Sequence, residues 1–348
     1  MRAQSEQCPW CSHADSEHEN KLTLRRIEFC QCRCSTNNVH DGTPLPLLVL
    51  QTLRLSATDP RWFNDPFEVR PWFDQERHDH AAKTQESFHE RMMGIKHSLI
   101  KGRSMAGIPT ESASGFGEQF NKRFRDDIGR KFRVLCLSKN PKSVLMWGQY
   151  TRSHAGIVLG IDTDASGFHQ GLKSNGFEVR YSEDRSETKL PLAFYQSPHV
   201  EMFDMLGNIV NRPDEEVVSD GGLVIPFREY RRRVEQAGIT ALTTKAKDWH
   251  YEHEVRFIYD LSLHSSQLIC ENNRHLVSIL VEALREIIIG FRADVKLVQG
   301  IVELFRGGRI GKPKLFFSEC HPNLYEVRPH ETNDQYLLDY FQIVLPSM

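Results

Sequence analysis

Two glutamates one residue apart, Glu252 and Glu254, lie in the segment WHYEHEVRFIY (Trp249 to Tyr259), with Arg256 two places further on. Like charges that close tend to raise one pKa, which suits a general base. Upstream, FNDPFE (63–68) carries Asn64 and Asp65, and MWGQYTRSHAG (146–156) carries Trp147, Tyr150 and His154; Ser138 ends the run VLCLS. Cys8-x-x-Cys11 precedes His13 and His18, while Cys30, Cys32 and Cys34 alternate. A structural zinc site takes four ligands, usually as two converging pairs, so free thiols and no metal are expected here.

Each stretch also has an ordinary reading. FNDPFE has the residues of a tight turn whose Asn and Asp bond to their own backbone. Trp147, Tyr150 and His154 share one face of a helix, as core residues do. The glutamates could line a solvated face on which Arg256 and Glu254 pair for at most about 1 kcal/mol.

The elements that must position these groups follow from periodicity. Residues 249–259 read as a strand, because alternate side chains face opposite ways. Trp249, Tyr251, His253, Val255, Phe257 and Tyr259 then form an apolar face, opposite His250, Glu252, Glu254 and Arg256. KFRVLCLS (131–138), GIVLGID, NGFEVRYSE, REIIIGF, PKLFFSEC and NLYEVRP read as further strands. Helices are expected after Pro44, from His78 to about Gly102, from Glu118 to Ile128, from Ser143, through FREYRRRVEQAG as far as Gly238, and over about 273–284. KGRSMAGIPTESASGFG reads as a loop, and 186–221 has weak patterning. Strands interleaved irregularly with helices favour the α+β class.

The composition of the 348 residues, 39% hydrophobic with a net charge of -2, supports a real core and imposes no global field toward nucleic acid or membrane. No apolar run reaches the roughly 20 residues that span a bilayer, and the N-terminus lacks an apolar signal region. A soluble, cytoplasmic α+β domain over 23–348, behind a polar extension at 1–22, is the expectation. The dinucleotide, P-loop, zinc-protease and serine-hydrolase signatures are missing from the sequence.

Together the three stretches resemble a widespread bacterial family long catalogued only as a domain of unknown function. Its members carry FNDPFE, then MWxxYxxxHxG, then WxYExExR. These correspond to Phe63–Glu68, to Met146, Trp147, Tyr150, His154 and Gly156, and to Trp249, Tyr251, Glu252, Glu254 and Arg256. REIIIGF, ending near Gly290, is similar to a later segment of that family, and FCQCRC stands where members have a tyrosine-rich strand ending in Arg. The Glu-x-Glu is also similar to the carboxylate pair of ADP-ribosyltransferases, late in a split mixed sheet. That resemblance implies NAD as substrate, with Arg33 on its phosphates or ribose. It places Ser138 or Tyr150 at the nicotinamide, with Trp147, Asn64 and Asp65 lining the site. Glu254 becomes the catalytic carboxylate, and Glu252, about 7 Å along the same face, orients or deprotonates the acceptor. The acceptor itself, protein or nucleic acid, is left open, as is a toxin or defence role. An alternative is a nucleic-acid-binding or interaction module without NAD chemistry, using the basic stretches FREYRRRVEQ and NKRFRDDIGRKFR.

Overall fold

The computed structural model describes residues 27–31, 44–71, 113–166, 168, 171–173, 176–185, 217–220, 223–343 and 345. The strands of the first half are β1 (Ile27–Gln31), β2 (Arg54–Ala57), β3 (Phe132–Ser138), β4 (Ile157–Asp162), β5 (Phe177–Glu178) and β6 (Arg180–Ser182). Those of the second half are β7 (Val217–Asp220), β8 (Leu223–Pro226), β9 (Thr244–Ala246), β10 (Glu254–Asp260), β11 (Leu268–Glu271), β12 (Arg274–Ser278), β13 (Leu284–Ile289), β14 (Lys314–Cys320) and β15 (Val327–Thr332). The helices are α1 (Leu45–Thr52), α2 (Ala113–Lys131), α3 (Val144–Tyr150), α4 (Phe227–Leu242), α5 (Leu261–His264), α6 (Val295–Arg306) and α7 (Asp334–Tyr340). The class is α+β.

An eight-stranded mixed sheet runs in the order β15-β14-β13-β4-β1-β3-β10-β5. Its neighbours are antiparallel except β13 and β14, which are parallel and joined through α6. Leu297, Val298, Ile301 and Val302 give α6 a continuous apolar stripe, and Asp294 caps it by accepting from the Leu297 N–H at 2.8 Å. That stripe, with α1, α7 and the small sheet β11-β12-β2, buries one face of the large sheet. Val255, Phe257 and Tyr259 of β10 point into this core beside Leu135 and Leu137 of β3. The opposite register positions, Glu254 with Ser138, Arg256 with Cys136 and Ile258 with Val134, make up the other face.

Three expectations from the sequence need correction. The strand begins only at Glu254: residues Lys247–Glu252 form a 3-10 turn, ended by His253 in the left-handed region at φ 43°. Within the turn Glu252 is buried while Trp249 and Tyr251 are half-buried and His253 is exposed, so the alternating aromatics do not mark a strand face. No helix spans 273–284. Asn272 and Asn273 both have positive φ (49° and 60°) and join β11 to β12 as a two-residue hairpin, a conformation asparagine tolerates. Finally, α4 passes through Gly238 to Leu242, with Gly238 buried beside Ile128. NGFEVRYSE is split between two sheets, as β5 and β6. The extension at 1–22, both cysteine groups apart from Cys30, the helix from His78, Arg33 and most of 186–221 lie outside the described residues.

Candidate functional site

The motif segments meet at two buried cations. Lys245 sits in the middle of β9, a short strand paired in parallel with β6. Its ammonium donates to Glu252 Oε2 at 2.5 Å and lies 3.6 Å from Glu68 Oε2 and 3.7 Å from Glu254 Oε2. The Trp249 ring covers it, with the nitrogen 4.5 Å from the ring centroid. Arg256 donates through Nη2 to Glu68 Oε1 and to Glu254 Oε2, the latter at 2.7 Å, and through Nη1 to the Leu242 carbonyl at 2.7 Å. Phe63 stacks under its guanidinium at 4.7 Å. FNDPFE can deliver Glu68 because Asp65 Oδ1 accepts from the Phe67 N–H at 2.8 Å and closes the turn.

Glu252 is 2% exposed and Glu254 9%, so neither faces open solvent. They are not side by side on a strand face. Glu254 projects from β10 and Glu252 from the turn before it, and the left-handed His253 between them brings both carboxylates to Lys245. Three buried carboxylates face two buried cations, which leaves one negative charge in excess if all are ionised. Burial pushes the Glu254 carboxyl up, but Arg256 and Lys245 together outweigh it and hold the group at about 2. For Glu68, burial wins over the same two cations and its pKa rises. Burial works against the charge on Lys245, yet Glu254 and Glu68 prevail and raise its pKa, so it stays protonated. Glu68 is therefore more readily protonated than Glu254. Cys136, directly across from Arg256, has its thiol pushed well up by burial and then by Glu254.

Around this cluster the other expected residues take distinct places. Tyr150, half-buried at the end of α3, donates its hydroxyl proton to Glu252 Oε1 at 2.5 Å and accepts from Asn64 Nδ2 at 3.2 Å. Ser138 is buried; its hydroxyl donates to the Glu252 carbonyl at 2.7 Å and accepts from the Asn140 N–H at 3.0 Å. Asp65 is buried within its own turn. Trp147 lies in a second core cluster with Val158, Ile288, Phe316 and Val327. Its indole N–H donates to the Pro141 carbonyl at 2.6 Å, and its ring stacks with His154 at 6.0 Å. A fully buried ring offers no face to a cofactor, so the expected place of Trp147 in a binding site is corrected to one in the core.

His154 ends an unusual segment. Arg152, Ser153 and His154 all have positive φ (54°, 56° and 71°), a turn of left-handed backbone held by Thr151 and Trp147 carbonyls and by Arg292 N–H to the His154 carbonyl at 3.1 Å. Gly290 makes the contact possible, because a Cβ there would lie 2.1 Å from the His154 oxygen.

Lys245 and Glu68 were not among the residues singled out, although they complete the cluster. Glu68 was visible as the last letter of FNDPFE. Lys245, in ALTTKAKDWH, carried no signal beyond a basic residue four places before Trp249. As chemistry, the arrangement presents a half-buried phenol joined to a carboxylate whose other oxygen is fixed by an ammonium. Such a relay can pass a proton between a bound molecule and the interior. Among the described residues, no group of three or more His, Cys, Asp or Glu could hold a metal ion, and no helix is long and apolar enough to cross a membrane.

No curated protein and no solved structure matches the chain. Residues 146–257, from the start of the Trp147 helix into β10, match the model of a family described as a protein of unknown function (DUF2971), and this chain is similar to that family over the stretch that holds Tyr150, Lys245, Glu252, Glu254 and Arg256.

Proposed function

We propose that the chain is an ADP-ribosyltransferase-like enzyme that breaks the nicotinamide–ribose bond of NAD and transfers ADP-ribose to a macromolecular acceptor. The observation that carries this reading is the Tyr150 hydroxyl, half-buried and bonded at 2.5 Å to a carboxylate that Lys245 fixes from the other side. In the reaction the bond between the ribose anomeric carbon and the nicotinamide nitrogen breaks, and its electron pair leaves with neutral nicotinamide. The cationic sugar is captured by a lone pair of the acceptor, whose proton passes to Glu252 through Tyr150. A carboxylate beside the site favours the cationic sugar over the ground state, and Glu252 supplies it. Glu254, bonded to Arg256 and close to Lys245, is a positioning residue that holds Lys245, and through it Glu252. A split ADP-ribosyltransferase-like sheet is part of the same proposal, supported by β10 lying against β3 with Ser138 at its end.

The test is nicotinamide release from NAD by the purified chain, with and without cell lysate as a source of acceptor, beside Tyr150→Phe and Glu252→Gln. Release that requires lysate and falls roughly 10²-fold or more in both variants is expected. An absence of release, together with a melting temperature that NAD does not raise, would overturn the reading. A binding module without NAD chemistry is the second reading. One observation favours it: the Glu68 and Glu254 carboxylates are engaged by internal cations, as a structural cluster would arrange them.

A further inference from the structure

Beside the carboxylate cluster lies a cleft of about 500 Å³, within the range of small-molecule sites. Three segments form it: the loop into α3, the 3-10 turn with His253, and the residues before β15. They are tied together, since the Lys142 carbonyl accepts from the Val327 N–H at 3.1 Å and the His253 carbonyl accepts from the Lys139 N–H at 3.0 Å. Lys142, His250 and His253 supply an ammonium and two imidazoles, the rings standing 4.7 Å apart, against one carboxylate, Glu326. Tyr251 and the fully exposed Tyr325 supply aromatic walls.

We propose that this cleft binds the diphosphate-bearing half of a nucleotide, with Lys142, His250 and His253 on the phosphates and Tyr251 and Tyr325 against the base. This assignment rests on the nucleotide reading of the neighbouring cluster and names where the substrate lies. Three chemical arguments support it. Two imidazoles and the Lys142 ammonium line one cleft, where phosphate oxygens can accept ring N–H bonds and a charge-assisted bond from the lysine. Tyrosine rings accept a base by stacking, whatever its sequence identity. The cleft is also adjacent to the relay: Asn140, in its wall, donates to Ser138, which donates to the Glu252 carbonyl, and Tyr251 precedes Glu252 in the chain. A ligand held here has its phosphates beside the turn that carries Glu252. The helix whose first turn lines the cleft ends at Tyr150, and the ribose of the proposed ligand lies toward that end.

Isothermal titration of the full chain with ADP, adenosine and inorganic phosphate tests the assignment. The comparison chain is the double variant His250→Gln/His253→Asn; asparagine is chosen because it tolerates the left-handed backbone at 253. Both histidines are exposed, so an unchanged melting temperature is the expected control. ADP is expected to bind at least tenfold more tightly than adenosine, phosphate to compete with it, and the double variant to lose tenfold or more in ADP affinity. Equal binding of ADP and adenosine, no ADP binding at millimolar concentration, or an unaffected double variant would overturn it. The two proposals fail separately. ADP binding that depends on the histidines, with no nicotinamide released from NAD, leaves the cleft and removes the transferase. Nicotinamide release with the same KM for NAD in the double variant leaves the transferase and removes the cleft.

Discussion

Replacing Lys245 by methionine removes a cation that lies within 3.7 Å of three buried carboxylates, two of them engaged by Arg256 as well. Each attraction at about 4 Å is worth roughly 4 kcal/mol at the effective dielectric of such sites, before the desolvation of the ammonium is subtracted. What remains as a net loss, when one partner of a buried ion pair is deleted, is about 3–5 kcal/mol. The loss must depend on pH. In the variant Glu68 and Glu254 lose one of the two cations beside them, so their pKa values in the folded state rise relative to the wild type. A raised carboxyl destabilises above its unfolded pKa of about 4.3, and the penalty fades as pH falls through the raised value. A rise of two units corresponds to roughly 3 kcal/mol. Urea unfolding of wild type and Lys245→Met at pH 8, 6.5 and 5 is the assay. The difference in stability should be largest at pH 8 and shrink by pH 5. A difference below about 1 kcal/mol that is flat across this range would refute the cluster as a buried, coupled unit.

Glu254, held at about 2, contributes stability that is fully present above the unfolded carboxyl pKa and is lost as pH falls toward 2; Glu68, raised, acts in the opposite sense. The melting temperature of the wild type should therefore fall between about pH 4.3 and 2, and Glu254→Gln should flatten that decline; parallel curves would count against it. Trp147→Ala should cost about 3–5 kcal/mol in urea unfolding, because the ring is fully buried, and an unmoved midpoint would contradict its place in the core. Gly290→Ala should destabilise by about 1–3 kcal/mol through collision with the His154 carbonyl. A melting temperature equal to wild type would show that the left-handed turn yields easily.

Much of the framework was legible because strands buried in a large sheet carry period-two or continuous apolar patterns. KFRVLCLS, GIVLGID and REIIIGF each became a strand of the main sheet. Within WHYEHEVRFIY the alternation held from Glu254 onward, so that Glu254 and Arg256 do share a face. It failed before His253, where a single left-handed residue ends the 3-10 turn and starts the strand. Pattern arguments average over several residues and are blind to one backbone angle. Similarly, ENNRHLVSILVEAL has apolar residues at helical spacing, yet Asn272 and Asn273 enforce a hairpin that outweighs it. The convergence of FNDPFE, Tyr150 and Glu252 followed from no local rule, since it is a property of topology. The cations that neutralise the glutamates were the least legible part, because Lys245 reaches its partners through β6 and β9, a pairing of two three-residue strands.

The order of the strands has a consequence for how the chain comes to be made. β3 is flanked in the sheet by β1 and β10, and β10 lies more than a hundred residues after it. Arg256 reaches back 188 residues to Glu68. During synthesis from the N-terminus, Glu68, Tyr150 and the open edge of β3 are all present before Lys245, Glu252 and Arg256 exist. An uncovered strand edge invites pairing with other chains, and contacts between distant segments slow folding. The nascent protein thus passes through a stage in which its central edge is exposed and its buried carboxylate lacks a counterion, and both conditions end in one event, the docking of β10. Ribosome stalling before residue 244 would yield an aggregation-prone species, whereas release after β10 would yield a sheet closed along that edge and charge-balanced at the same time.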